Sequence, residues 1–230
     1  MILAIDTSSV TASCALLDGD RVVAESFCNA GITHSATLMP MIEGLFGYSC
    51  KNIGDVTMFA GTAGPGSFTG VRIGASLLLG LAFGKGLPCV GVSTLEAAAL
   101  PFSSYKDVLV CPVMDARRGQ FYNALFRNGQ RLTEDRAISA AELDAELSAY
   151  SSPVLLCGDG HELAKKLMPD RVYEQTPCDL IYPRASSVAR LAKRIYENSP
   201  EGSDFSDLKY KPVYLRPSQA ERVRKEKESI

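Results

Sequence analysis

Asp6, Thr7 and Ser8 form the first segment of the sequence with residue types suited to binding chemistry. They follow an apolar run, so the carboxylate could hold a hydrated magnesium ion while the hydroxyl and N–H groups face a phosphate. A strand that leaves a sheet through a polar turn uses the same residue types. From the residues alone, both interpretations of this segment remain open.

Residues 64–74 form a second candidate, a glycine-rich turn that leads into an apolar helix. A helix N-terminus offers unpaired N–H groups to a phosphate. A P-loop, however, needs Gly-Lys followed by Ser or Thr, and the sequence from Thr69 to Arg72 supplies no lysine. The glycines of this segment therefore need another explanation.

The helix predicted over residues 69–84 carries one charge, Arg72, and is otherwise almost wholly apolar. A helix that is apolar on all sides is expected to be buried on all sides. Gly70 and Gly74 lie on one face, where another backbone can approach closely, at a cost of roughly 1 kcal/mol of helix stability per glycine. The neighbour could be another element of this chain or a partner protein.

Residues 115–119 place Arg117 and Arg118 in a tight turn beside Asp115. Two guanidinium groups there could bind a phosphate or a partner's carboxylate through paired hydrogen bonds. An ion pair within the turn is the alternative. Residues 158–161 could similarly cap an anion or form a plain turn between a strand and a helix.

Alternating strands and helices must position these segments. Three apolar runs near the N-terminus predict an antiparallel meander, and later runs alternate with helical periodicity. The predicted strands cover residues 2–5, 12–17, 22–27, 56–60, 89–92, 108–114, 121–126 and 154–157. The predicted helices cover residues 38–46, 69–84, 93–100, 140–150, 161–167 and 186–196.

The order of these elements partly repeats after residues 101–107, which predicts a domain boundary there. We therefore predict an α/β fold with two tandem lobes, each a mixed sheet flanked by helices. The first lobe would span residues 1–105 and carry the partner-binding helices. The second, smaller lobe would span 106–215, and a charged tail would follow over 216–230.

Composition argues against several classes of function. The formal net charge of −2 and the pI of about 5.8 give no broad attraction for nucleic acid or for an anionic membrane. No basic leader precedes Asp6, and the 69–84 run is short of a bilayer span, so a cytoplasmic protein is expected. His34 and His161 lie at ligand spacing from neither each other nor a cysteine, so no metal site is predicted.

The segments together resemble the TsaB (YeaZ-type) family nearly from end to end. The resemblance is carried by residues 2–8, 34, 35, 38, 40–42, 64–74, 91–96, 115–119, 182–185 and 214–216, of which 64–74 and 115–119 are the most specific. It implies two lobes of the actin-like, ribonuclease-H-like (ASKHA) superfamily. It also implies a non-catalytic scaffold for threonylcarbamoylation of the tRNA adenosine beside the anticodon.

The same resemblance implies the partners. The chain would pair with the catalytic paralogue TsaD, join the ATPase TsaE in a ternary complex, and form a homodimer when alone. It would reach tRNA only through the complex, and it would not bind a membrane. It would have no cofactor of its own, with ATP and magnesium at a complex interface, and Asp6, Thr7 and Ser8 would be a vestige of a cofactor site.

TsaD binds its metal through a His-x-x-x-His pair, whereas here His34 is followed by Leu38, so one ligand is missing. Catalytic residues are therefore not expected, and His34 is expected to cap or pack its helix. The predicted partner interface comprises His34, Leu38, Met41, Ile42, Leu45, Gly70, Ile73, Gly74, Leu77 and Leu81, with Arg117 and Arg118 as a further anion or partner contact. An independent actin-like ATPase or small-molecule kinase that uses Asp6 is the alternative hypothesis.

Overall fold

Twelve strands and six α-helices form the part of the chain that the computed structural model describes, residues 1–216. The strands are β1 (Ile2–Asp6), β2 (Ala12–Asp18), β3 (Arg21–Cys28), β4 (Met58–Gly64), β5 (Cys89–Ser93), β6 (Leu109–Asp115), β7 (Gln120–Asn123), β8 (Phe126–Arg127), β9 (Gln130–Arg131), β10 (Arg136–Ser139), β11 (Val154–Cys157) and β12 (Tyr173–Glu174). The helices are α1 (His34–Ser49), α2 (Phe68–Ala82), α3 (Thr94–Ala99), α4 (Ala140–Leu147), α5 (His161–Leu167) and α6 (Ala185–Asn198). Every predicted strand and helix is present, with the predicted strand 121–126 divided into β7 and β8. Apart from residue 216, the predicted charged tail lies outside the described residues.

The first sheet has the strand order β3-β2-β1-β4-β5. β1 pairs antiparallel with β2 and parallel with β4, so the predicted meander continues into parallel strands. Successive residues of a strand point to opposite faces. Leu3 and Ile5 therefore pack against α1 and α2, whereas Ile2 and Ala4 pack against α6. This is the predicted mixed sheet with helices on both faces.

The second sheet has the order β10-β7-β6-β11-β12, with β8 pairing to β6 and β9 to β8. One face packs against α4 and α5, through buried residues such as Leu143 and Ala164. The other face packs against α3, through Leu95 and Ala98. Since β6 pairs parallel with β11 and antiparallel with β7, this sheet is mixed as predicted.

The C-terminal helix corrects the predicted boundary between the lobes. The sequence assigned residues 106–215 to the second lobe. In the structure, Ala185, Val188 and Leu191 of α6 are buried against the first sheet, and Tyr210 enters the core beneath α1 and α2. The chain thus returns to the first lobe, because the apolar stripe of α6 covers the face of the first sheet that α1 and α2 leave open.

Gly70 and Gly74 face an element of the same chain. A Cβ atom at Gly70 would overlap the carbonyl oxygen of Thr7, and one at Gly74 would overlap the Thr7 hydroxyl. The Thr7 hydroxyl also donates a hydrogen bond to the carbonyl oxygen of Gly70 (2.7 Å). The predicted close approach is real, but the neighbour is the chain's own β1–β2 connection, which corrects the assignment of these two glycines to a partner interface.

The inner faces of α1 and α2 are likewise taken up by the first lobe itself. Leu38, Ile42 and Leu45 are at most 1% exposed, because they pack on the first sheet, so they are not on the surface where a partner could contact them. Met41, Ile73, Leu77 and Leu81 are only partly buried, and their assignment to an interface stays a prediction. The chain itself does not bury α2 on all sides, since Arg72, Ser76 and Gly80 are exposed, and burial of that face by a partner stays a prediction.

The length and hydropathy of the helices show whether any of them could cross a membrane. Within residues 1–216, none is both long and apolar enough to cross a membrane.

Candidate functional site

Asp6 is the centre of a closed polar cluster at the end of β1. The side chain is fully buried, and Oδ1 accepts hydrogen bonds from the Ser8 N–H (3.1 Å), the Ser8 hydroxyl (2.6 Å) and the Thr62 hydroxyl (2.7 Å). Oδ2 is buried without a hydrogen-bond partner. Burial raises the pKa of Asp6, because loss of hydration outweighs the hydrogen bonds from Ser8 and Thr62. The cluster holds the β1–β2 connection in place.

Residues of the loop before α2 contact the main chain of the turn at Thr7 and Ser8. The Ser67 N–H donates to the carbonyl oxygen of Ser8 (2.7 Å), and a Cβ atom at Gly66 would overlap that same oxygen. Thr7 and Ser8 are at most 1% exposed, and their hydroxyls are already used. In this conformation the side chains of Thr7 and Ser8 are therefore bonded inside the chain, and the assignment of Asp6, Thr7 and Ser8 to a vestigial cofactor site stays a prediction.

Within residues 1–216, no three His, Cys, Asp or Glu side chains are grouped so that they could hold a metal ion.

A cleft of about 640 Å³ separates the lobes next to this closed turn. His34 lines it from the first lobe, and Asp115, Arg117 and Asp159 line it from the second. His34 Nε2 lies 3.0 Å from the carbonyl oxygen of Ser9, which fixes the start of α1 to the β1–β2 connection. His34 thus packs its helix, as the sequence predicts.

Two carboxylates and one guanidinium group form a hydrogen-bonded chain on the second-lobe side of the cleft. Asp159 Oδ1 accepts from the Asp115 N–H (3.3 Å), and Asp115 accepts from the N–H (2.7 Å) and the guanidinium group (3.0 Å) of Arg117. Burial raises the pKa of Asp159 to about 6, and the nearby charges of Asp115 and Asp6 act in the same direction. The ion pair within the turn is present, so Arg117 is engaged inside the chain.

Arg118, unlike Arg117, has no carboxylate partner among the described residues. It is exposed, and it makes no ion pair with any residue between 1 and 216. Arg117 and Arg118 both have positive φ angles, 67° and 58°, a conformation that costs roughly 1–2 kcal/mol for a residue with a Cβ atom. The turn therefore holds Arg118 outward, and its role as an anion or partner contact stays a prediction.

The raised pKa of Asp159 predicts a pH-dependent stability. In the native state the Asp159 carboxyl group keeps its proton up to about pH 6, whereas in the unfolded chain it loses that proton at about pH 4. The native state binds more protons between these values, so the free energy of unfolding falls as the pH rises through this window and then levels off.

Asp159→Asn should abolish the fall in the free energy of unfolding between about pH 4 and about pH 6. Asparagine keeps an acceptor for the Asp115 N–H but carries no charge, so the variant should gain on the order of 1–3 kcal/mol at neutral pH and almost nothing at about pH 4. Thermal unfolding across this pH range, with wild type as control, measures the difference. Parallel pH profiles for the two proteins would contradict the prediction.

The outward surface of α1 and α2, here called the outer helix face, is exposed and carries little charge. Its members are Ala36, Met39, Pro40, Glu43, Gly44, Gly47, Thr69, Arg72, Ser76 and Gly80. Among residues 1–216, a Cβ atom at Gly44, Gly47 or Gly80 would meet nothing within 4 Å. The packing of this chain therefore does not require these three glycines, although each costs roughly 1 kcal/mol of helix stability.

Sequence reasoning missed these glycines and chose Gly70 and Gly74 instead. The available signal was the pair Gly44 and Gly47 in and beside a predicted helix, where glycine is unfavourable. It could not be used without knowing which side of each helix faces outward. Only the structure separates glycines that the chain fills itself from glycines that it leaves open.

Sequence comparison connects the chain to two sets of related proteins. A family model described as TsaD, tRNA N6-adenosine threonylcarbamoyltransferase, matches residues 29–191. The chain is 34% identical over 227 residues to the Bacillus subtilis tRNA threonylcarbamoyladenosine biosynthesis protein TsaB, with 96% of each chain covered. It is 30% identical over 221 residues to the Escherichia coli protein of the same name, with 94% of each chain covered.

Structural comparison agrees with these similarities. YeaZ from Pseudomonas aeruginosa superposes with a TM-score of 0.75 at 26% identity, covering 93% of this chain and 99% of that one. Component A of the Acidaminococcus fermentans (R)-2-hydroxyglutaryl-CoA dehydratase gives a TM-score of 0.50 at 13% identity, covering 86% of this chain and 99% of that one, and so shows only a shared fold. The predicted fold class, an actin-like arrangement of mixed sheets flanked by helices, is confirmed.

Proposed function

The chain belongs to the TsaB family, and from this premise we propose that it acts in the biosynthesis of threonylcarbamoyladenosine in tRNA as a non-catalytic subunit. In this proposal it binds the catalytic paralogue TsaD, with TsaE in a ternary complex, and thereby supports modification of the adenosine beside the anticodon. The outer helix face is the observation that carries the proposal. It is the surface where the chain leaves helical glycines without neighbours.

The chemistry of the outer helix face suits another protein. Ten residues of α1 and α2 expose only one acidic and one basic side chain, Glu43 and Arg72. Gly44, Gly47 and Gly80 leave room for a second backbone to come close. Ile73 and Leu77 stand half-buried beside them and would lose their remaining contact with water in a complex.

A paralogue is the partner that this surface fits best. TsaD is related to this chain in sequence, as the match to its family model indicates. A related fold would present an equivalent helix pair, and two such pairs can pack face to face in a layer of four helices. The same geometry would accept a second copy of this chain, which accounts for a homodimer when TsaD is absent.

The closed cluster around Asp6 favours a non-catalytic subunit over the alternative, an independent ATPase or kinase. An enzyme that used Asp6 would have to displace residues 66–70 from Thr7 and Ser8 before a phosphate could enter. Leu38, at the position of the second metal-binding histidine of TsaD, is buried in the core. We therefore assign ATP and magnesium to the junction with the partner, and contact with tRNA to the complex.

Reconstitution tests this function. With tRNA, ATP and threonylcarbamoyl adenylate as the donor, cognate TsaD and TsaE should produce threonylcarbamoyladenosine and release AMP only when this chain is added. Mass spectrometry of the digested nucleosides measures the product. The chain alone should give no turnover, and calorimetry should detect no binding of magnesium ATP at millimolar concentration. Full modification in the absence of this chain would overturn the proposal.

Asp6→Asn separates the two hypotheses further. Asparagine keeps an acceptor for Ser8 and Thr62, so the variant should fold and support modification at the wild-type level. An actin-like ATPase would need the carboxylate for its metal ion. Loss of modification by a folded Asp6→Asn variant would therefore favour the ATPase alternative.

A further inference from the structure

We propose that Arg72 is the polar anchor of the outer helix face and that Phe68 and Tyr214 hold its guanidinium group ready for a carboxylate of the partner. The inference rests on the proposed function, because it specifies which chemistry the surface of TsaD must present where it meets α2. It singles out one contact on a surface that carries few charges and is rich in glycine.

The guanidinium group of Arg72 is fixed although the residue is exposed. Its Nε donates a hydrogen bond to the Tyr214 hydroxyl (2.9 Å), and its central carbon lies 3.8 Å from the centroid of the Phe68 ring. The Tyr214 ring lies 5.4 Å from the same carbon, and the two rings are 4.8 Å apart. A free arginine loses rotamer entropy when it binds a partner, so an arginine that is already held in place loses less of it.

This fixed guanidinium group has no carboxylate partner within residues 1–216. No Asp or Glu oxygen of that part of the chain forms an ion pair with Arg72, and its two terminal nitrogens make no hydrogen bond there. By contrast, Arg131 is held by Glu96 and Asp135. The terminal nitrogens of an arginine are the pair that meets a carboxylate through two parallel bonds. In Arg72 that pair is oriented, and no group within residues 1–216 uses it.

A carboxylate is the group that a partner must supply at this position. Covering Arg72 with apolar surface would bury an unpaired charge, which costs several kcal/mol. Phosphate could also bind a guanidinium group, but the surrounding outer helix face has the small and apolar residues of a protein contact rather than further cations. Arginine is also among the residues that contribute most to binding at protein interfaces.

Arg72 could instead serve only to hold the segment around Tyr214 against α2. The two roles predict different measurements. A purely structural role predicts that loss of the guanidinium group lowers the melting temperature without changing affinity for TsaD. An anchor predicts that affinity changes while the melting temperature does not.

The decisive experiment compares Arg72→Gln with the matched control Arg21→Gln, since Arg21 is an exposed arginine on β3. Titration calorimetry with cognate TsaD at about 50 mM and about 300 mM salt measures affinity and its dependence on screening. Arg72→Gln should weaken the complex by roughly 10-fold or more, flatten the salt dependence and leave Tm within about 2 °C of wild type. Arg21→Gln should bind like wild type.

Two conservative variants test how the anchor works. Arg72→Lys keeps the charge but loses the planar group, so it should recover only part of the affinity. Tyr214→Phe keeps the ring but removes the acceptor for Nε, so it should weaken binding by roughly 2–5-fold.

Several results would overturn the anchor. These are affinity of Arg72→Gln within twofold of wild type, a lowered Tm with unchanged affinity, or an effect on tRNA binding with none on TsaD. If wild type itself fails to bind TsaD, the proposed function fails together with the anchor. If wild type binds and Arg72→Gln binds equally well, only the anchor fails.

Discussion

Gly70→Ala is expected to destabilise the chain by about 3 kcal/mol, at the upper end of the range for overpacked cores. The added methyl group would overlap the carbonyl oxygen of Thr7, a backbone atom that cannot rotate away. Relief would require β1 and α2 to separate, which would also stretch the hydrogen bond from the Thr7 hydroxyl to the Gly70 carbonyl oxygen. For a chain of this length, the loss lowers Tm by roughly 6–12 °C.

Gly80→Ala on the same helix is the matched control for this prediction. A Cβ atom there meets nothing within 4 Å in the part of the chain that the structure describes, and alanine favours the helix by roughly 0.5–1 kcal/mol. This variant should therefore be slightly more stable than wild type. Thermal and urea unfolding measure both variants. Equal stabilities for Gly70→Ala and Gly80→Ala would mean that α2 does not pack on Thr7 as described.

Gly44→Arg and Gly80→Arg are expected to abolish the complex with TsaD while leaving the fold intact. Both positions are exposed, and a Cβ atom there meets nothing within 4 Å among residues 1–216, so a long charged side chain can extend into solvent but would block a second backbone from approaching. We expect affinity to fall by roughly 100-fold or more, equivalent to about 2.7 kcal/mol. Size-exclusion chromatography of equimolar mixtures should show separate proteins.

The control is Ala145→Arg, which places the same side chain on an exposed position of α4 in the second lobe. It should form the complex normally. Gly74→Arg cannot serve as a test, because its side chain would collide with Thr7 and disturb the fold first. Folded Gly44→Arg and Gly80→Arg proteins that bind TsaD with wild-type affinity would remove the outer helix face from the interface.

Leu38, Ile42 and Leu45 illustrate the limit of sequence reasoning for the candidate site. Their helical spacing identifies an apolar stripe on α1, and the structure contains that stripe. The stripe was assigned to a partner, but the first sheet covers it. A stripe covered by the chain's own sheet and one covered by another protein have the same pattern, because periodicity records that a face must be buried and not what buries it.

Asp6, Thr7 and Ser8 show the same limit for a polar segment. Their residue types fit a phosphate turn, and nothing near them in the sequence argues against it. The Thr7 hydroxyl is hydrogen-bonded to Gly70 and the Ser8 carbonyl oxygen to Ser67, residues about sixty positions further along the chain. Closure of this turn therefore depends on how β1, β4 and α2 are packed together.

The sequence by itself determined the order of strands and helices, the two mixed sheets, the missing lysine of a P-loop and the missing second histidine after His34. These features depend on residue type and on spacing within one element. Only the tertiary structure decided that α6 covers the first sheet, that Thr7 fills the space at Gly70 and Gly74, and that Gly44 and Gly80 remain open. The physical reason is that burial and close approach are relations between residues distant in sequence, which become defined only when the elements pack.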